Sequence, residues 1–201
     1  MLVIYIVYNC LEKQTSYKNI KDLQRRIAVY EDETAYKELF LILFNSLTRF
    51  STGIVQSKET AEEIVSDVFI NLWNEKNKLS EIEDLQLYIF IAVKNNSFRK
   101  LKQQNKHRTL SLEELNIDMD SSYQNPEDKV LSAESLNNIE SIIDSLPHRA
   151  KLILKLAKED RMRYKEIATL LNISVKTVDH QLAITLKKIA LALGATFRKK
   201  S

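Results

Sequence analysis

A chain of 201 residues with 44% apolar content and 28% charged residues has enough apolar material for one or two compact domains with well-solvated faces. Two Gly and two Pro leave few turn formers for β architecture, so the expected class is all-α. The single cysteine, Cys10, excludes a disulfide framework or a clustered thiolate site, and the histidines His107, His148 and His180 have no metal-like spacing. With no phosphate-binding glycine loop either, the sequence offers little for an enzyme, and no cofactor or bound metal is expected.

Met1 to Tyr8 is almost wholly apolar and β-branched, but it falls far short of the roughly 20 residues needed to span a bilayer. It also lacks the basic start and small-residue cleavage site of an export signal. Residues 1–17 are therefore read as an apolar N-terminal tail, and no membrane insertion is expected. Lys18 to Tyr30 has the spacing of an amphipathic helix through Ile20, Leu23, Ile27 and Ala28, and a second helix is predicted from about Thr34 to Phe50. Gly53 breaks that pattern. Ser57, followed by Glu59, Glu62 and Glu63, marks the start of a third helix carrying Ala61, Ile64, Val65, Val68, Phe69, Leu72 and Trp73. After a polar loop near Asn77 to Asp84, a fourth helix is predicted from Leu85 to about Gln104.

The fourth helix and its continuation to Arg108 contain Lys94, Arg99, Lys100, Lys102, Lys106 and Arg108 without one Asp or Glu. Its first half, Tyr88 to Val93, is apolar and aromatic. A basic helix with aromatic residues at one end suits a nucleic-acid strand whose bases are unstacked as well as held by phosphates. The plainer reading is a core helix with a solvated end, although such ends usually carry mixed charge. Leu112 to Asp128 then reverses the sign, with six acids, Pro126 and no Lys or Arg. It reads as an acidic linker, placed at 109–131. Helical periodicity resumes near Ser132 through Leu136, Ile139, Ile142 and Ile143, and Pro147 opens another helix to about Lys158.

Tyr164 to Lys188 reads as two short helices around a tight turn. Ile167, Ala168 and Leu171 face inward, and Ala168 is small enough for a second helix to cross close above it. Asn172 tolerates the left-handed conformation of such a turn, and Ser174 can cap the next helix. Val178, Leu182, Leu186 and Ile189 form its buried stripe, which leaves Lys176, Thr177, Asp179, His180 and Ala183 outside. An ordinary helical hairpin has the same periodicity. From Glu134 onward, however, thirteen Lys or Arg stand against seven Asp or Glu, the electrostatic footprint of phosphate binding. A DNA-binding helix-turn-helix is the reading that this charge favours.

The segments AEEIVSDVFINLWN from Ala61, LQLYIFIAVKNNSFRKLKQ from Leu85 and SLPHRAKLILKLAKEDRMRYKEIATLLNISVKTVDHQLAITLKKI from Ser145 resemble, in order and spacing, the hallmark segments of bacterial sigma-70 family RNA polymerase sigma factors. The match is to the short extracytoplasmic-function (ECF) type and covers roughly Lys18 to Leu193. The resemblance implies two small helical domains, a region 2-like one at 18–108 and a region 4-like helix-turn-helix at 132–201. It also implies a transcription initiation factor in the cytoplasm, with no enzymatic activity. The implied partners are core RNA polymerase (through its β′ coiled coil and β flap), promoter DNA and an anti-sigma factor, the free chain being a monomer.

By the same resemblance, Glu63, Asp67, Asn71 and Trp73 fall in the segment that docks on the β′ coiled coil. Val68, Phe69, Leu72 and also Trp73 hold that helix in its own domain. Lys94, Asn95, Arg99 and Lys102 are the candidate minus-10 strand contacts, with Asn95 the base contact and the loop Ser80 to Asp84 capturing a flipped base. Tyr88 and Phe90 are read as core rather than as stacking platforms. Arg163, Lys165, Lys176, Thr177, Asp179 and His180 are the minus-35 candidates, with Arg161 beside them. Three positions depart from the family pattern: Arg163 stands in place of a Ser or Thr cap, and Asp160 and Asn172 stand in place of Gly. The acidic linker is either an RNA-like thread toward the polymerase active site or a plain tether. A rival function is an autonomous helix-turn-helix regulator with an N-terminal sensing or dimerisation domain.

Overall fold

A computed structural model describes residues 20–104, 143 and 145–198. The apolar tail, the linker at 109–131, Lys106 to Arg108 and the onset of helix near Ser132 lie outside the described residues. The chain is all-α, and every regular element among the described residues is helical. It divides into two compact units, within Met1–Asn116 and within Ile117–Ser201.

In the first unit, helix α1 (20–30) buries Ile20, Leu23 and Ile27. It is followed by α2 (Glu33–Val55), α3 (Lys58–Asn74), a 3-10 helix (Lys76–Glu81) and α4 (Leu85–Gln104). Asp32 starts α2: its Oδ1 accepts the N–H groups of Thr34 at 2.9 Å and Ala35 at 3.0 Å. Its Oδ2 accepts Nε and Nη2 of Arg26 at 2.9 and 2.8 Å. The Ala35 N–H foremost, and then Arg26, hold this carboxyl below its ordinary range. A depressed carboxyl contributes stability that is complete above its unfolded pKa and is lost as pH falls through the folded value. Asp32→Asn should therefore lower the melting temperature at neutral pH and flatten the acid side of the stability curve, as read by thermal melts from pH 7 downward.

Helix α2 does not break at Gly53. It runs on to Val55 and ends at Gln56, which takes the left-handed conformation at φ 55° and donates its N–H to the Thr52 carbonyl. Gly53 is buried within the unit, and α2 also packs against α4. Buried Ser51 and Ser97 meet across that contact with their hydroxyls 2.8 Å apart. Ser97 donates to the Val93 carbonyl at 2.7 Å, so Ser51 donates to Ser97 and both hydroxyls are satisfied. Small residues on both helices let the backbones approach closely. Ser57 caps α3 through the Thr60 N–H at 3.2 Å.

Aromatic rings bind α2 to α3. Phe40 meets Phe69 edge-on at 4.9 Å, and the Tyr36 hydroxyl donates to the Phe69 carbonyl at 2.8 Å. Phe50 on α2 meets Phe90 on α4 edge-on at 5.5 Å. Helix α2 is long and apolar enough to cross a membrane by length and composition, yet 56% of its apolar window is buried inside this unit, as suits a core helix.

The second unit contains α5 (His148–Lys158), α6 (Tyr164–Leu171) and α7 (Val175–Arg198). Pro147, placed by sequence in the first turn of α5, precedes it as the cap residue. The core joins Leu152, Ile153 and Leu156 of α5 to Ile167, Ala168, Leu170 and Leu171 of α6 and to Val178, Leu182 and Ile189 of α7. Leu186, expected in that stripe, is only half-buried, and Thr185 takes the buried place.

Candidate nucleic-acid interface

The turn between α6 and α7 is built as its residues require. Asn172 adopts φ 54°, ψ 47°, and the Ile173 N–H closes onto the Ala168 carbonyl at 3.0 Å. Ser174 Oγ accepts the Thr177 N–H at 3.0 Å and lies 2.8 Å from the Thr177 hydroxyl. Thr177 is half-buried and engaged with the cap, so its hydroxyl serves the helix start. Lys176, Asp179, His180 and Ala183 stand exposed on the outer face of α7.

Arg163 and Lys165 are exposed at the start of α6. As the resemblance expects, Arg163 makes no side-chain cap bond at the start of α6, but Glu166 folds back onto it. Its Oε2 accepts the Arg163 N–H at 2.7 Å, and its Oε1 accepts Arg163 Nε. The guanidinium is thus tied to a buried carboxylate at one edge, while its side chain stays 70% exposed. The left-handed residue before α6 is Arg161, with φ 52°, and not Asp160. Asp160 instead closes the end of α5 by donating its N–H to the Lys155 carbonyl at 3.1 Å.

On α4 the buried side is Leu85, Gln86, Ile89, Phe90, Val93, Ser97 and Leu101. The opposite face aligns Tyr88, Asn95, Arg99 and Lys102, all exposed. Phe90 is core, as expected. Tyr88 is not, because at 44% exposed it heads the polar stripe. Lys94 stands apart on the flank of the helix, half-buried, and burial lowers its ammonium pKa. Arg99 Nη2 donates to Asn96 Oδ1 at 2.6 Å. The loop expected at Ser80 to Asp84 is shorter, since Ser80 and Glu81 belong to the 3-10 helix. Buried Gln24 of α1 pins the segment by donating Nε2 to the carbonyls of Leu79 at 2.6 Å and Ile82 at 2.7 Å. Asp84 Oδ1 then caps α4 through the Leu87 N–H at 2.9 Å.

Helix α3 presents Glu63, Asp67, Ile70, Asn71 and Asn74 along one exposed line. Ile70 at 55% exposed is the residue that sequence reasoning missed there. Its signal was available, since an isoleucine three positions after Asp67 falls on the acidic face and not on the Val68–Leu72 side. Trp73 turns off this line onto α2, with its ring 4.9 Å from Tyr36 and Lys76 Nζ 5.0 Å from its centroid. Glu63, Asp67, Asn96, Arg99, Lys100 and Gln103 line a shared groove between α3 and α4. Within it Lys100 Nζ meets Glu63 Oε2 at 3.2 Å. The acidic and basic surfaces of this unit are therefore neighbours.

Among the described residues no group of His, Cys, Asp and Glu could hold a metal ion. Residues 136–189 match the family described as Sigma-70, region 4. No curated protein matches the sequence of the chain. Among solved structures the fold is similar to that of the sigma factor RpoE, determined in complex with the anti-sigma factor NepR from Bartonella quintana. That likeness has a TM-score of 0.50 and 14% identity, and covers 79% of this chain and 96% of the other.

Proposed function

We propose that this chain, whose C-terminal unit carries the sigma-70 region 4 sequence at 136–189, is a transcription initiation factor of the ECF type that directs core RNA polymerase to specific promoters. The observation that supports this reading most is the pairing of a region 4 helix-turn-helix with a separate helical unit bearing an acid-free basic stripe. A duplex reader complete in itself has no use for the second surface. In the proposed division, 18–108 binds polymerase and opens the minus-10 element, 109–131 tethers, and 132–201 reads the minus-35 element.

Glu63, Asp67 and Asn71 would meet basic residues of the β′ coiled coil, with Ile70 adding an apolar contact at the centre of the line. Trp73 would act indirectly, by fixing α3 on α2. Asn95, Arg99 and Lys102 would hold the displaced strand, and exposed Tyr88 would stack on an unpaired base. Capturing bases offsets the few kcal/mol of unstacking, so opening needs no nucleotide hydrolysis and the chain needs no catalytic residue. On α7, Lys176, Asp179 and His180 would face base edges and phosphates, and the exposed side chains of Lys165 and Arg163 would grip the backbone. The site of action is the cytoplasm. An anti-sigma factor is the proposed regulator, as in the complex that the RpoE structure holds.

The decisive experiment is in vitro transcription by purified core polymerase on a random promoter library, with and without the full-length chain. Initiation from a shared pair of unlike elements is the expected result. No initiation above core alone, together with tight binding of the isolated chain to a palindromic duplex, would overturn the reading in favour of an autonomous regulator.

A further inference from the structure

Among the described residues of α7, three large apolar side chains are exposed, Val175, Ile184 and Leu191, and of these Ile184 alone lies within the polar run from Lys176 to Lys188. Lys176, His180, Ala183 and Lys187 recur at helical spacing and are all exposed, while Val178, Leu182, Thr185 and Ile189 are buried opposite them. Beside Ala183, at the edge of this stripe, Ile184 is 41% exposed. An isoleucine offers no donor or acceptor, so neither a phosphate, a sugar hydroxyl nor a base heteroatom can pair with it. The one apolar group that base edges present in the major groove is the C5-methyl of thymine.

We propose that Ile184, with the small side chain of Ala183 admitting the groove wall beside it, is a thymine-reading residue of the recognition helix. The inference rests on α7 facing base edges as proposed above, which for a helix means lying in the major groove. Charge argues for duplex DNA as the occupant rather than a protein face. Lys176 precedes Ile184, Lys187 and Lys188 follow it, and all three are exposed, so lysines outnumber the single exposed acid, Asp179, along this stretch of the helix. Leu191, also exposed, is about 10 Å farther along the axis at 1.5 Å per residue, beyond those lysines. The aliphatic patch at Ile184 is thus one residue wide, with its smaller neighbour Ala183, which fits a methyl group better than a docking helix.

The test uses the full-length chain bound to core polymerase and the promoter duplex selected from a random library. Each thymine of the minus-35 element is replaced in turn by deoxyuridine, which removes only the methyl group. Loss of one buried methyl should weaken binding about fourfold at one or two positions. With Ile184→Ala those same replacements should cost nothing, whereas Ile184→Val should retain part of the penalty. Wild-type affinity of Ile184→Ala for the deoxyuridine duplex would show that the variant is folded.

An equal penalty in wild type and Ile184→Ala, or no sensitive thymine at all, would overturn the inference while leaving the promoter reader intact. A polymerase complex that selects no shared duplex would overturn the underlying reading instead.

Discussion

Reversing the charge of the α4 stripe with Arg99→Glu and Lys102→Glu together is expected to abolish promoter opening by the polymerase complex while leaving closed-complex formation measurable. Both side chains are exposed on the line that begins at Tyr88, so the change costs the fold little. Each phosphate contact to a single strand contributes about 0.7 to the salt slope of binding, so losing two should flatten it by about 1.4. Permanganate reactivity of unpaired thymines at the minus-10 element would report opening, a salt titration of binding to the single-stranded minus-10 oligonucleotide would report the slope, and duplex binding would report the closed complex. Opening within twofold of wild type would remove α4 from the strand-binding role. Asn95→Ala is the milder companion, expected to impair opening more than closed binding. Equal loss in both assays would show that Asn95 touches duplex phosphates and not an unpaired base.

The residues that supported those expectations were legible because their signals are local. Ser57, Asn172 and Ser174 sit where a helix must start or stop, and each is used there. The limits of α4 followed from a loop rich in acids and amides on one side and a change of character on the other. Four left-handed positions among the described residues fall on Glu31, Gln56, Arg161 and Asn172, and none falls on a glycine. Only Asn172 announces itself, because asparagine tolerates that region intrinsically; the other three are held there by the helices they join. Gly53 misled for the converse reason. It is buried inside the unit, and the packing of α2 outweighs the poor helix propensity of glycine. The Glu63–Lys100 pair joins residues 37 apart in sequence, and no periodicity within either helix could have shown that the acidic and basic faces meet.

Phasing failed at one further place, where an apolar run defeats it. Tyr88 to Val93 contains no polar residue to mark the outer face, so Tyr88 and Phe90 looked equivalent in the sequence, whereas helical geometry separates two residues that are two apart by more than half a turn. The structure makes Phe90 wholly buried and Tyr88 exposed.

Phe90→Ala and Tyr88→Ala should therefore diverge. Truncating a buried Phe costs about 3–5 kcal/mol through lost transfer and the cavity left behind, and here the edge-on contact with Phe50 at 5.5 Å is lost as well. Set against a domain stability of about 5–15 kcal/mol, and a small unit near the lower end, that should leave the N-terminal unit largely unfolded at moderate temperature. The C-terminal unit has its own core of Ile153, Ile167 and Val178, so its melting transition should persist in calorimetry, and minus-35 duplex binding should survive. Tyr88→Ala should change stability by no more than about 0.5 kcal/mol, yet should reduce promoter opening if the ring stacks on an unpaired base, since such stacking is worth about 1–3 kcal/mol. Loss of stability in the Tyr88 variant comparable to that of Phe90→Ala would place the ring in the core after all, whereas a stable variant with normal opening would leave the stripe to act through charge alone.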